Sequence, residues 1–250
     1  MATALITGAT SGIGLEITKI LAAKYDLFLV SRDKTKLAAL KKSLEKQYDI
    51  NIQILSIDLS KENAAQKVFA RVKHADVLVN NAGFGVAGES VDADASKINA
   101  MLHLNILTLT QLSALFGQQM KAQRKGYILN IASIAAFQPV PYLASYSASK
   151  SYVLNYTEAL AKELEEYNVH VTCLCPGVTA THFYTAMGSA VKGGSARDVA
   201  VAGVNALFKN KMTVVPGFKN KLRIQFERLL PRWLIARLSK RVMGTSSTKS

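Results

Sequence analysis

The chain has little that would cross-link it or carry it through a membrane. Its 250 residues include only two cysteines, Cys173 and Cys175. Two cannot build a disulfide framework, so a reducing cytoplasm is the expected setting. No apolar run reaches about 18 residues, and no transmembrane helix is expected. Residues 1–8 carry no basic segment ahead of their short apolar stretch, which Gly8 breaks, so no secretory signal is read there. Acids are also scarce, 17 against 31 Lys and Arg, for a net charge of +14. That excess is unevenly placed. Residues 218–250 hold nine cations and one acid, Glu227, for +8, and the other 217 residues carry +6. The basic character belongs mainly to the tail, which makes a general nucleic-acid-binding surface the weaker reading.

Material for a core is ample. The composition is 49% apolar and 19% charged, with mean hydropathy +0.14, which excludes a disordered or fibrous chain. Short β-rich runs recur at 4–7, 27–30, 52–57, 77–79, 127–131, 169–174 and 212–215. They are near-continuous Val, Ile and Leu without alternation, as buried parallel strands are. Helical patterning separates them. One helix is expected over 12–25, one from Asp33 as N-cap to about Tyr48, one or two over 92–121, and a long one over 145–167. Strands alternating with helices predict an α/β fold, a single doubly wound Rossmann-type parallel sheet of about seven strands with helices on both faces. With no repeat or linker before the tail, the domains read as 1–217 and a basic extension, 218–250, with a disordered end from Gly244.

The chemistry-bearing residues follow the strands. Thr7, Gly8, Ala9, Thr10, Ser11, Gly12, Ile13 and Gly14 follow the first strand and open the first helix. Glycines there let the backbone turn tightly and approach a pyrophosphate, and the helix N-terminus supplies N–H groups and positive potential. The spacing differs from G-x-G-x-x-G, with three residues between the first two glycines. Tyr146 and Lys150 stand four apart, on one face of the long helix. A phenol with an ordinary pKa of about 10 is a poor acid near neutrality, and a nearby ammonium favours its ionised form. Ser133 follows the fifth run, at the carboxyl end where open α/β sheets place their sites.

The glycine segment, Asn80-Asn81-Ala82-Gly83, Ser133 and Tyr146-Ser147-Ala148-Ser149-Lys150 together resemble the short-chain dehydrogenase/reductase family, in its order and at its spacing, over about residues 3–215. The resemblance implies NADP(H)- or NAD(H)-dependent interconversion of a carbonyl and an alcohol. In that reading Tyr146 is the general acid or base. Lys150 lowers its pKa and bonds the nicotinamide ribose, Ser133 polarises the substrate oxygen, and Asn105 supports a proton-relaying water. Cofactor contacts are expected from Gly8, Thr10, Ser11, Gly12, Ile13, Gly14, Asp58, Leu59, Asn81, Ala82, Gly83, Tyr146, Lys150, Pro176, Gly177, Thr179 and Thr181. At the end of the second strand Ser31 holds the position where an NAD enzyme usually has an acid, and Arg32 follows. This favours NADP(H), with Asp33 the opposing evidence. The resemblance also implies a homodimer or homotetramer, paired through the helices that carry Asn105 and Tyr146.

Cys173 and Cys175, two apart on a strand, face the same side, and burial is their expected role. Metal binding lacks two further ligands, and none is expected. Residues 182–197 mix Phe183, Tyr184, Met187 and Val191 with glycines, as a mobile cover over an apolar carbonyl substrate would. In the tail Leu222, Phe226, Leu230, Trp233, Leu234, Leu238 and Val242 recur every three or four residues among cations, and Pro231 divides or kinks the helix. Such a face suits packing on the protein body or another subunit, the favoured reading. Peripheral membrane contact through 218–243 comes next, and nucleic acid last. Two rivals to the enzyme stand: an NADPH-binding regulatory protein with little turnover, and a membrane-associated protein acting through its tail.

Overall fold

In the computed structural model, which describes residues 1–180 and 193–247, the seven apolar runs form one parallel sheet. Its strands are β1 (Thr3–Thr7), β2 (Asp26–Ser31), β3 (Ile52–Ser56), β4 (Val77–Asn80), β5 (Gly126–Ile131), β6 (Val169–Leu174) and β7 (Thr213–Val214). Their spatial order is β3-β2-β1-β4-β5-β6-β7. The chain winds one way from β1 and then the other, so a crevice opens above the carboxyl ends of β1 and β4. Register there sets Ile6 beside Val79 and Asn80 beside Asn130.

Both faces of the sheet are covered, which is why the strands lack alternation. Ala4, Ile6, Leu27, Leu29, Val77 and Val79 meet α1 (Gly12–Leu21), α2 (Lys34–Gln47) and α7 (Ala196–Phe208) on one side. Leu5, Phe28, Val30, Leu78 and Ile128 meet α3 (Ala64–Val72), α5 (Leu109–Gln123) and α6 (Ala144–Leu164) on the other. Asp33 caps α2 as expected, its carboxylate accepting from the Lys36 N–H at 2.9 Å. The first helix stops at Leu21 rather than Tyr25, whose ring instead stacks on Phe208 at 6.1 Å.

The expected helices over 92–121 are one continuous helix, α4 (Ala95–Leu102) running through a π-helical segment, His103–Thr108, into α5. This 29-residue helix is long and apolar enough to cross a membrane, although no unbroken apolar run within it reaches about 18 residues. It lies against the core instead. Met101, Leu112, Phe116 and Met120 are buried, and so are the hydrogen-bonded Asn105, Thr108 and Ser113.

Cys173 and Cys175 are free and buried in one cluster, their sulfurs 3.7 Å apart. Beyond β7, α8 (Phe218–Arg228) and α9 (Arg232–Ser247) are separated at Pro231. Packing of the extension on the body runs through one side, with Ile224, Ile235 and Ser239 buried. The helix continues through Gly244, where a disordered end is expected, and residues 248–250 lie outside the described ones.

Candidate active site

The glycine segment folds as a cradle because Thr7 and Asn81 tie it to the strand next door. The Thr7 hydroxyl donates to the Val79 carbonyl at 3.2 Å and accepts from the N–H groups of Asn81 and Ala82 at 3.0 and 3.1 Å. Asn81 Nδ2 donates back to the carbonyls of Thr7 and Gly8 at 3.0 and 3.1 Å. Gly8 has φ +66°, and a Cβ there would stand 2.7 Å from Asn81 Nδ2. Gly14 is a close-packing residue rather than a wall of the crevice, since a Cβ would collide with Gly8 O and Asn81 Nδ2.

The crevice is a cleft of about 880 Å³. All but three of the expected site residues border it. Gly14 lies beneath, Asn105 lies behind, and Thr181 falls outside the described residues, as do 182–192 of the expected substrate cover. Gly8, Thr10, Ser11, Gly12 and Ile13 form one wall. Ser133, Tyr146, Lys150, Pro176, Gly177 and Thr179 form the far end.

Burial governs that far end. Ser133, Tyr146 and Lys150 are all buried. Ser133 caps a 3-10 turn, Ile134–Phe137, its hydroxyl accepting from the Ala135 N–H at 3.1 Å. Lys150 reaches from α6 to β5, donating to the Ile131 carbonyl at 2.8 Å, with its nitrogen 5.9 Å from the centre of the Tyr146 ring. Removal from water pushes its pKa down to about 8, against a smaller opposing influence of the two cysteines. Asn105 sits in the π-helical segment, a distortion that recurs at functional sites. Its amide donates to Ser149 Oγ at 3.1 Å and the Phe84 carbonyl at 3.0 Å, and its Oδ1 accepts from the Phe84 N–H at 3.2 Å. A Cβ on Gly83 would meet both Asn105 Oδ1 and Lys150 Nζ, so that glycine is what brings the backbone over the pair.

The opposite end is open. The Ser31 and Thr10 hydroxyls share a hydrogen bond at 2.9 Å, and the cations Arg32 and Lys36 stand at the rim. Asp58 lies inward of them. Burial would raise its pKa, but bonds from the Ser60 N–H and hydroxyl and the nearby Arg32 and Lys61 charges hold it below the usual carboxylate range. Sequence reasoning missed Lys36 and Lys97 on the rim, Phe84 on the wall and Ser149 behind Asn105. Lys36 had a signal, one turn inside a helix whose cap was legible. Ser149 had none beyond its place between Tyr146 and Lys150.

These features fit a dinucleotide. The cradle admits no Cβ at Gly8, a helix N-terminus faces the cleft, and hydroxyls and cations wait at one end. Residues 2–192 match the family described as "short chain dehydrogenase". The chain belongs to that family. Its members use a nicotinamide cofactor. This short-chain dehydrogenase is 35% identical over 179 residues to "Probable short-chain type dehydrogenase/reductase VdlC" of Helicobacter pylori, a stretch covering 70% of this chain and 64% of that one. It is 34% identical over 180 residues to a very-long-chain 3-oxoacyl-CoA reductase of Phaeosphaeria nodorum, covering 68% and 53% respectively. The match thus spans between about half and two thirds of these relatives' lengths. Among solved structures, a short-chain dehydrogenase from Sphingobium yanoikuyae in complex with NADPH aligns with TM-score 0.84 at 29% identity, over 87% of this chain and 89% of that one.

Proposed function

We propose that the protein is an NADPH-dependent oxidoreductase that reduces an apolar ketone or aldehyde, reversibly. One observation carries this: Ser133, Tyr146 and Lys150 share the buried end of a cleft whose other end is a glycine cradle with hydroxyls and cations. The nicotinamide, when bound, supplies the hydride that reaches the carbonyl carbon. Gly8, Gly12 and Ile13 hold the pyrophosphate, and Ser31, Arg32 and Lys36 receive the adenosine 2′-phosphate. Ser133 Oγ donates to the substrate oxygen and holds it in place. Tyr146 delivers its phenolic proton to that oxygen, completing the alcohol. Lys150, held by the Ile131 carbonyl, favours the resulting phenolate, bonds the nicotinamide ribose and returns the proton, with Asn105 fixing the backbone behind it. The carbonyl face is apolar. Phe84, Val86 and Leu104 line the cleft, and Val140 and Leu143 pack beside Tyr146.

Consumption of NADPH over a panel of ketones and aldehydes, with Tyr146→Phe in parallel, tests the reading. Turnover by the wild type and not by the variant supports it. Turnover by both removes Tyr146 as the acid, and tight NADPH binding with no turnover across the panel favours the regulatory alternative. We also propose a homodimer or homotetramer paired through α5 and α6. The exposed Leu107 on their π-helical lead-in and the exposed Tyr152, stacked on Tyr156, support that surface.

A further inference from the structure

We propose that α8 and α9 dock on an anionic lipid bilayer, holding the substrate side of the cleft at the bilayer surface. Phe218, Leu222, Phe226 and Leu229 stand at intervals of four, four and three residues. At 3.6 residues per turn they fall on one narrow stripe. All four are exposed, Phe218 at 78% and Leu229 at 82%, while Ile224 on the opposite side is buried against the body. By the same geometry Lys219 borders the stripe on one side and Lys221 on the other, while Arg223 and Arg228 lie further round, against Glu227 and the Phe137 ring. On α9 Trp233 is 66% exposed, and Arg237, Lys240 and Arg241 follow it along one face. Residues 218–243 therefore hold eight cations against one acid. That acid, Glu227, is held by Arg223 at 2.7 Å and takes the Gln138 amide as donor.

An apolar ridge bordered by long cationic side chains is what a membrane–water boundary receives. The ridge enters the acyl region, and the cations lie at the level of the lipid phosphates. A second copy would bring a like-charged face against this one. A nucleic acid would engage the cations but leave the ridge in water.

The docking face adjoins the site. Asn220 packs against Gly177, Gln138 and Phe137 meet Glu227 and Arg228, and Met243 packs on the cluster that contains Tyr146, Val140 and Leu143. The substrate class that fits this placement is a carbonyl compound dissolved in the bilayer, an extension that rests on the reductase reading above.

The protein's one tryptophan, Trp233, reports docking directly. Full-length protein is mixed with vesicles of phosphatidylglycerol and phosphatidylcholine, or of phosphatidylcholine alone. The expected result is a blue shift of Trp233 emission and co-sedimentation with the anionic vesicles. Both should weaken with salt, and affinity should fall about tenfold or more in the triple variant Leu222→Ser, Phe226→Ser, Leu229→Ser. No shift and no sedimentation at low salt overturns the proposal. So does vesicle binding that the triple variant leaves intact, a solution dimer that this variant dissolves while vesicles go unbound, or a Trp233 response to DNA alone. In the second arm, wild type and variant should reduce a water-soluble ketone equally, and the variant should lose turnover of a ketone dissolved in anionic vesicles. Equal loss on both ketones overturns the substrate extension. Vesicle binding with no ketone reduced at all leaves docking standing and rejects the reductase reading.

Discussion

At one end of the cleft Ser133, Tyr146 and Lys150 are withdrawn from water, and Asn105 behind them is wholly buried. At the other end Arg32 and Lys36 stand in solvent, and the Lys36 ion pair with Asp33, at 3.4 Å, is exposed on both sides. The same kinds of interaction have different consequences in the two places. In the buried end charges are not screened, so removing one partner changes protonation and geometry together. At the rim water and salt screen each charge, so a substitution shifts preference without disturbing the fold. The contrast teaches that this cleft separates its groups by burial, with the side chains proposed for proton transfer kept dry and those proposed for coenzyme selection kept wet.

Substitutions on both sides would sharpen or break that contrast. The largest effect is expected from Tyr146→Phe, which removes the proposed proton donor and should lower kcat by about a thousandfold while NADPH binding stays within about twofold. Single-turnover kinetics beside a binding titration checks this, and a comparable loss of cofactor affinity would show that the two ends are not separable.

Lys150→Met should lower kcat by about a hundredfold and also reveal the cost of the buried charge. Lys150 has its pKa depressed from 10.5 to about 8 in the folded protein. Between those values the unfolded chain binds more protons than the folded one, so the Lys150 contribution to stability rises with pH across this window and is unfavourable below it. The stability of wild type relative to Lys150→Met should therefore improve by about 3 kcal/mol from pH 7.5 to pH 10.5. Denaturant melts of the cofactor-free pair across that range measure it, and a flat difference would mean that the site is wetter than its burial implies. Tyr156, pushed up to about 12 mainly by burial, acts in the opposite direction above pH 10 in both proteins and cancels in the difference.

Gly8→Ala forces a side chain into φ +66° and against Asn81. The backbone alone should cost about 1–2 kcal/mol, and calorimetry should show weaker NADPH binding with the catalytic end unchanged. The smallest effect belongs to the rim. Arg32→Asp should move the NADPH-to-NADH affinity ratio about threefold to tenfold towards NADH at low salt, and less at high salt. A ratio that does not move would remove Arg32 from 2′-phosphate binding.

Legibility followed local chemistry. The seven strands could be read because parallel strands covered on both faces favour near-continuous apolar runs, as in Leu27–Val30 and Val77–Val79. The Asp33 cap could be read because it lies next to the helix it starts. The cradle could be read through its glycines, but Thr7 as its tie to β4 could not, since the partners Asn81 and Ala82 are more than seventy residues away. Asn105 was found by motif spacing. Its place in a π-helical segment was not, because a local change in helical register leaves no periodicity to detect.

What the amino-acid sequence determined by itself is the class of sheet, the one-domain body, the glycine turn and the Tyr146–Lys150 pair. Each depends on residues within a turn or a strand of one another. What only the tertiary structure decided is which groups lose their water. Lys150 is an ordinary lysine until α6 packs on β5 and buries its ammonium against the Ile131 carbonyl. Leu222, Phe226 and Trp233 belong to a stripe expected foremost to pack on the body or another subunit, until Ile224 and Ile235 take the inner face and leave them exposed. Burial is a property of the assembled layers, and neither spacing nor composition contains it.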